Sequence, residues 1–191
     1  MDFHPVTRER WADLKAVFGE KGAYGGCWCM FWRLERSEYK AQSGEDHKRV
    51  MQTLVEANHV PGLIAYVDGV PAAWCAIAPR DDMIALEKSR ILKRIDDQPV
   101  WSITCFFVAK PYRQHGLMPQ LVRAAVDYAA QQGARIIEGY PIDMQSPKLL
   151  GQKLNTYAGY MGIAAAFRAV GFEEVGRASE TQLIMRFYVE E

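Results

Sequence analysis

The chain has 191 residues, 49% of them apolar and 24% charged, which is enough to bury a core without disulfide or metal staples. Its 23 basic and 23 acidic residues cancel, so the excess of positive charge expected of a nucleic-acid partner is missing. No apolar run reaches the roughly 18 residues of a membrane span. The opening MDFHPVTRERW also lacks the basic and apolar regions of a secretory signal, so the expected location is the cytoplasm.

Thr7 is placed to cap a first helix with Trp11, Leu14 and Val17 or Phe18 on its apolar side. Gly22, Gly25 and Gly26 interrupt the pattern and lead into CWCMFWR, residues 27–33. Ser43 with Asp46 three residues later predicts a second helix start, and Val50, Met51, Leu54 and Val55 form its stripe. GLIAYV and VPAAWCAIA flank Asp68-Gly69, a strong signal for a tight hairpin. A short helix is expected from about Asp82 to Arg94. Residues 100–109 are apolar enough for a strand covered on both faces. A helix from about Gly116 to Gln132 follows, with Leu117, Leu121, Ala125 and Tyr128 in register and Gly133 beyond its end. ARIIEGYP predicts another strand, then come a polar connection over 142–157, a helix bearing Ile163, Phe167 and Val170, and two final strands. The order implies one α/β domain over residues 1–191, a mixed sheet flanked by helices.

The junction VAKPYRQHGLMP has the marks of an anion cradle. A strand that turns directly into a helix presents unpaired amides and the positive end of the helix dipole. Gly116 allows close backbone approach, Arg113 adds a planar cationic fork, and Pro119 is tolerated in a first helical turn. Neither the triphosphate loop nor the dinucleotide fingerprint is present.

VAKPYRQHGLMPQLVRAAVDYA resembles motif A of the GCN5-related N-acetyltransferases, the GNAT superfamily, whose Arg/Gln-x-x-Gly-x-Gly/Ala loop binds the acetyl-CoA pyrophosphate. Arg113, Gly116 and Met118 occupy the matching positions, with Met where the family has a small residue. GIAAAFRAVGFEEVGR is similar to the family's later helix and Gly-Phe strand. GGCWCMFWR, WCAIAPRDD and SRILKRIDDQPVWSITCFFV resemble a bacterial subgroup of small members. The resemblance implies a mostly antiparallel GNAT-like sheet and direct acetyl transfer from acetyl-CoA to a primary amine of a small molecule or peptide. A CoA- or ligand-binding sensor without catalysis is the alternative, and a homodimer is common in such families.

The implied cofactor contacts are Phe107, Val108, Arg113, Gln114, His115, Gly116, Leu117 and Met118, with the amide of Phe107 or Val108 polarising the acetyl carbonyl. A protonated amine needs a base near neutral pH. Glu138, on an otherwise apolar strand, is the base, a substrate anchor or an outward-facing solvated residue, and Asp143 is the second carboxylate. The tyrosine that protonates the departing thiolate in many members is replaced by Phe167, and Tyr160 or Tyr157 is a substitute acid or simple packing. Trp28, Cys29, Tyr140 and Asp143 are the expected acceptor-side residues; Arg33 and Arg80 are candidate anion contacts. Core packing is the other reading of the aromatic segment. The four cysteines, 27, 29, 75 and 105, match neither a disulfide framework nor a zinc site, and no metal is expected.

Overall fold

Asp68 and Gly69 both take positive φ, 51° and 78°, the backbone that lets two right-twisted strands meet in a two-residue turn. They join β2 (Gly62–Val67) to β3 (Val70–Pro79), the start of the sheet's central portion. The computed structural model describes residues 1–153 and 159–190. The other strands are β1 (Asp2–Pro5), β4 (Trp101–Val108), β5 (Ile136–Gly139), β6 (Glu173–Ser179) and β7 (Gln182–Tyr188). They form one seven-stranded sheet in the order β1-β2-β3-β4-β5-β7-β6. Every neighbouring pair is antiparallel except β4 with β5.

Alternation along the central strands sends side chains to two cores. Leu63, Ala65, Ala73, Cys75, Ile77, Ile103 and Phe106 meet Leu121, Val122 and Ala125 of α5 (Leu117–Gln131) and Phe167 of α6 (Ala164–Arg168). Ile64, Trp74, Ala76, Cys105 and Phe107 meet Leu14, Val17 and Phe18 of α1 (Trp11–Phe18) and Met51 and Val55 of α3 (Gly44–Glu56) on the other face. The apolar run of β4 is thus covered on both sides, as its near-continuous apolar character predicts.

The Ser43–Asp46 capping box forms in full, with Ser43 N–H donating to Asp46 at 2.8 Å. Thr7 differs from expectation. Its hydroxyl makes no cap bond, and a 3-10 turn over Arg8–Arg10 separates it from α1. Asp2–Pro5 pairs with β2 as an edge strand, and α2 (Arg36–Ala41) precedes the capping box. The helix expected from Asp82 to Arg94 reduces to a 3-10 turn at Arg80–Asp82 and α4 (Ile84–Glu87). Ser89 ends it by accepting N–H bonds from Ile91 and Leu92 at 3.3 and 3.0 Å, a local competitor of the helical ladder.

Candidate active site

Two features of β4 open the sheet at its centre. Ala76 pairs with Cys105 and Ile77 with Ile103, so Thr104 is an extra residue, a bulge that bends β4. β5 meets β4 only along Trp101–Ile103 and ends at Gly139, while β4 continues to Val108. The backbone beyond the bulge therefore borders a wedge. Phe106 N–H points into it and donates to the Tyr160 carbonyl at 2.6 Å, whereas Ala109 N–H donates to Ala72 on the β3 side at 2.9 Å. Strand alternation then turns the Phe107 amide toward β3 and the Val108 amide toward the wedge. Of the two expected donors, Val108 has the right orientation.

At the carboxyl end of β4 the chain passes through a 3-10 turn at Lys110–Tyr112 into α5. Gln114 and Gly116 take positive φ, 64° and 69°, on either side of exposed His115. A left-handed glutamine is uncommon, and it folds the loop back over the helix start. Leu117 is buried and Met118 half-buried against the core, and their amides have no intrahelical acceptor. Arg113 is half-buried, and its Nε donates to the Val108 carbonyl at 2.9 Å, which fixes the guanidinium beside the wedge. A bound phosphate would meet a left-handed turn, helix-end amides and one fixed cation. These groups fit a pyrophosphate.

Glu138 does not face this space. It is fully buried, accepts from Arg80 Nη1 at 2.9 Å, Arg186 Nε at 2.8 Å and the Tyr140 hydroxyl at 2.7 Å, and so has no open side. Arg80 also holds Glu87 at 2.6 Å, and Arg186 holds Asp96 at 2.6 and 3.1 Å. Burial would lower the Arg80 pKa, but Tyr140, Glu87 and Glu138 outweigh it and raise it. Burial likewise opposes the charge of Arg186, and its bonds to Asp96 and Glu138 raise its pKa well above the ordinary value. The Tyr140 hydroxyl is pushed up by burial and by Glu138, and bonds Ser102 at 2.8 Å. Tyr140 thus belongs to this cluster rather than to an open acceptor pocket, and Arg80 is saturated. Asp143 is buried too, with Arg177 Nη2 at 3.4 Å and Arg168 Nη1 at 3.9 Å.

The CWCMFWR segment closes the other face. Trp28 and Cys29 are buried with positive φ, 44° and 55°, and Trp28 stacks on Trp11 with centroids 5.7 Å apart. The Cys29 thiol lies 3.0 Å from Cys105 Sγ on β4 and accepts from Trp74 Nε1 at 3.1 Å. Its bond to Cys105, together with burial, raises its pKa. Among the described residues no group of three or more His, Cys, Asp or Glu is placed to hold a metal ion. The segment is fastened to β4, and its Phe31 ring lies 6.4 Å from that of half-buried Tyr160. Phe167 is fully buried between Phe106 and Phe172. Tyr157 lies outside the described residues. Arg186 was not legible as a partner of Glu138, nor Asp96 as a second partner of Arg186, because 48 and 90 residues separate the two pairs.

A family model described as the acetyltransferase (GNAT) family matches residues 28–144. The chain is 24% identical over 147 residues to an aminoglycoside N(6')-acetyltransferase type 1 of Salmonella typhimurium, covering 76% of this chain and 86% of that one. The fold resembles a GNAT-family acetyltransferase from Streptococcus agalactiae, with TM-score 0.57, 9% identity and coverage of 100% and 96%. It also resembles the PaiA N-acetyltransferase of Thermoplasma acidophilum, solved in complex with coenzyme A, with TM-score 0.52, 12% identity and coverage of 98% of each chain. Among the described residues no helix is long and apolar enough to cross a membrane. With more than half its length matched by the family model, on a sheet that opens beside a helix-end anion cradle, the chain belongs to the GNAT acetyltransferase family.

Proposed function

We propose that the protein transfers the acetyl group of acetyl-CoA directly to the primary amine of a small molecule. The observation that carries this is the alignment of Val108 with the cradle. One wedge-facing amide, one fixed arginine and the amides of Leu117 and Met118 follow one another from β4 into α5. The pyrophosphate of the substrate lies on Arg113 and the α5 amides, with the bare Gln114–Gly116 turn around it. The thioester supplies the acetyl group and a thiolate leaving group. The Val108 N–H donates to the carbonyl oxygen as it becomes tetrahedral, the arrangement that stabilises an oxyanion.

Glu138 and Asp143 are assigned to holding the fold rather than to abstracting a proton, since arginines occupy both. The amine then loses its proton to water in the wedge. Tyr160 is the side chain proposed to protonate the thiolate; a thiol pKa near 8.5 makes that help small at neutral pH. Trp28 and Cys29 form the floor beneath the acceptor rather than contacts to it.

Calorimetric titration with acetyl-CoA, followed by thiol release in the presence of amines, tests the reading. Arg113→Ala is expected to weaken acetyl-CoA binding roughly tenfold to a hundredfold with the melting temperature unchanged, the range of one charge-assisted bond. Unchanged affinity in that variant would remove the cradle. Tight binding with no thiol release for any amine would assign the non-catalytic sensor, a reading that the replacement of tyrosine by Phe167 favours.

A further inference from the structure

A buried arginine costs free energy unless an anion and hydrogen bonds compensate it. Arg80 and Arg186 meet that condition, with two carboxylates each at 2.6–2.9 Å. Arg33 does not. It is half-buried between buried Trp32 and buried Leu34, and its Nη2 donates to the Pro61 carbonyl at 3.1 Å. Among the described residues no carboxylate lies within ion-pair distance of it, and Nε and Nη1 have no hydrogen-bond partner. Burial lowers its pKa, opposed only at a distance by Asp82 and Cys29, yet a guanidinium stays charged at any physiological pH.

Arg113 has the same pattern, a half-buried cation tied by one nitrogen to a backbone carbonyl with its other donors unspent. In the reading above, the anion of the first substrate completes Arg113. Arg33 is carried by the segment that packs on β4 on the face opposite α5. Its segment touches Cys105 through Cys29 and reaches Tyr160 through Phe31, and the Tyr160 carbonyl holds Phe106 N–H at the wedge. The carboxylates that would have suited a cationic acceptor, Glu138 and Asp143, are neutralised by arginines.

We infer that Arg33 binds a carboxylate of the second substrate, so that the amine acetylated belongs to an amino acid or a related amino carboxylate rather than to a polycation. This rests on the transferase reading and narrows it. The guanidinium is planar and presents its free donors in one plane, which matches a carboxylate. The carboxylate anchors the acceptor and takes no part in bond making, so Arg33 sets specificity through KM. Exposed Asp82, an acidic group whose field Arg33 feels, limits how many anionic groups the site takes.

The experiment measures CoA-thiol release at saturating acetyl-CoA with a series from glycine to 6-aminohexanoate, each beside its amide. An aminoglycoside serves as the carboxylate-free polycation and phosphoethanolamine as the phosphate-bearing amine. The expected result is a kcat/KM at least tenfold higher for the acid than for its amide in the best pair. Arg33→Gln removes that preference by raising KM for the acid, leaves the amide unchanged, and keeps acetyl-CoA affinity at the wild-type value. Arg33→Lys restores part of the preference, which a merely structural arginine would not show. Preference for amides, the aminoglycoside or phosphoethanolamine overturns the inference, as does an equal loss for acid and amide in Arg33→Gln. Calorimetry separates the two failures. A wild-type protein that does not bind acetyl-CoA removes the transferase reading, whereas normal binding with turnover of carboxylate-free amines removes only the role of Arg33.

Discussion

Glu138 shows how an isolated residue type misleads. An acid within IIEGYP invites a catalytic reading, because an unpaired carboxylate on an apolar strand is expensive. Here two arginines and a tyrosine hydroxyl satisfy it, and each arginine carries a second carboxylate outward, Glu87 for Arg80 and Asp96 for Arg186. Glu138→Gln is expected to destabilise the protein by about 3 kcal/mol, near the lower end for breaking a buried pair, since each arginine keeps one partner. Denaturant unfolding measures the loss. The pH–rate profile of the remaining activity should not move, and a displaced limb would return Glu138 to the role of base. The sequence identified the acid but not its arginines, one of which lies on β3's exit and the other on β7.

At the scale of the element, β5 is short because its end is crowded. A Cβ at Gly139 would sit 2.2 Å from Phe167 Cε1, and one at Gly162 would sit 2.8 Å from Phe167 Cε2. The Phe167 ring fills the gap at the wedge's base and packs edge-on against Phe172 at 5.0 Å and Phe106 at 6.0 Å. A bulky residue cannot follow Glu138 without displacing that ring. Gly139→Ala should cost about 1–3 kcal/mol by overpacking, read as a lowered denaturant midpoint with the slope unchanged. The capping box at Ser43 and the Asp68-Gly69 hairpin were legible because a few neighbouring residues decide them. The helix expected at Asp82–Arg94 failed for a related reason. Ser89 redirects the backbone, while Glu87 is drawn to Arg80 and Arg94, contacts that apolar spacing does not encode.

Across the whole molecule, the two halves of the sheet are stitched by the charge cluster at its centre, and two of its carboxylates, Glu87 and Asp96, are expected to contribute to the acid limit of stability. The Glu87 carboxyl is nudged up by burial but held below its ordinary value by bonds from Arg94 and Arg80. Asp96 is held down by Arg186. Apart from the cluster, Asp46 in the capping box falls to about 2 under the bonds from Ser43. A folded-state pKa below the unfolded one stabilises the protein above the unfolded value, about 3.9 for Asp and 4.3 for Glu. That contribution is lost as pH falls through the folded values. The melting temperature should therefore be insensitive to these groups above about pH 5 and fall below about pH 4. Glu87→Gln should make the acid branch shallower, and an unchanged acid branch would remove Glu87 from the set.

The sequence by itself determined the features that neighbouring residues control. These are the hairpin, the capping box, the apolar β4, the amphipathic α5, and the Arg113–Gly116 turn that resembles a CoA-binding loop. Those signals suffice for the family and for the cofactor end of the site proposed above, because a phosphate cradle is built from one continuous stretch of chain. Only the tertiary structure bears on the proposed acceptor end. It spends Glu138 and Asp143 on arginines, turns the amide of Val108 rather than Phe107 into the wedge, and leaves Arg33 without an ion-pair partner among the described residues. Charge compensation and amide direction depend on which distant segments meet, and no local pattern of residues records that.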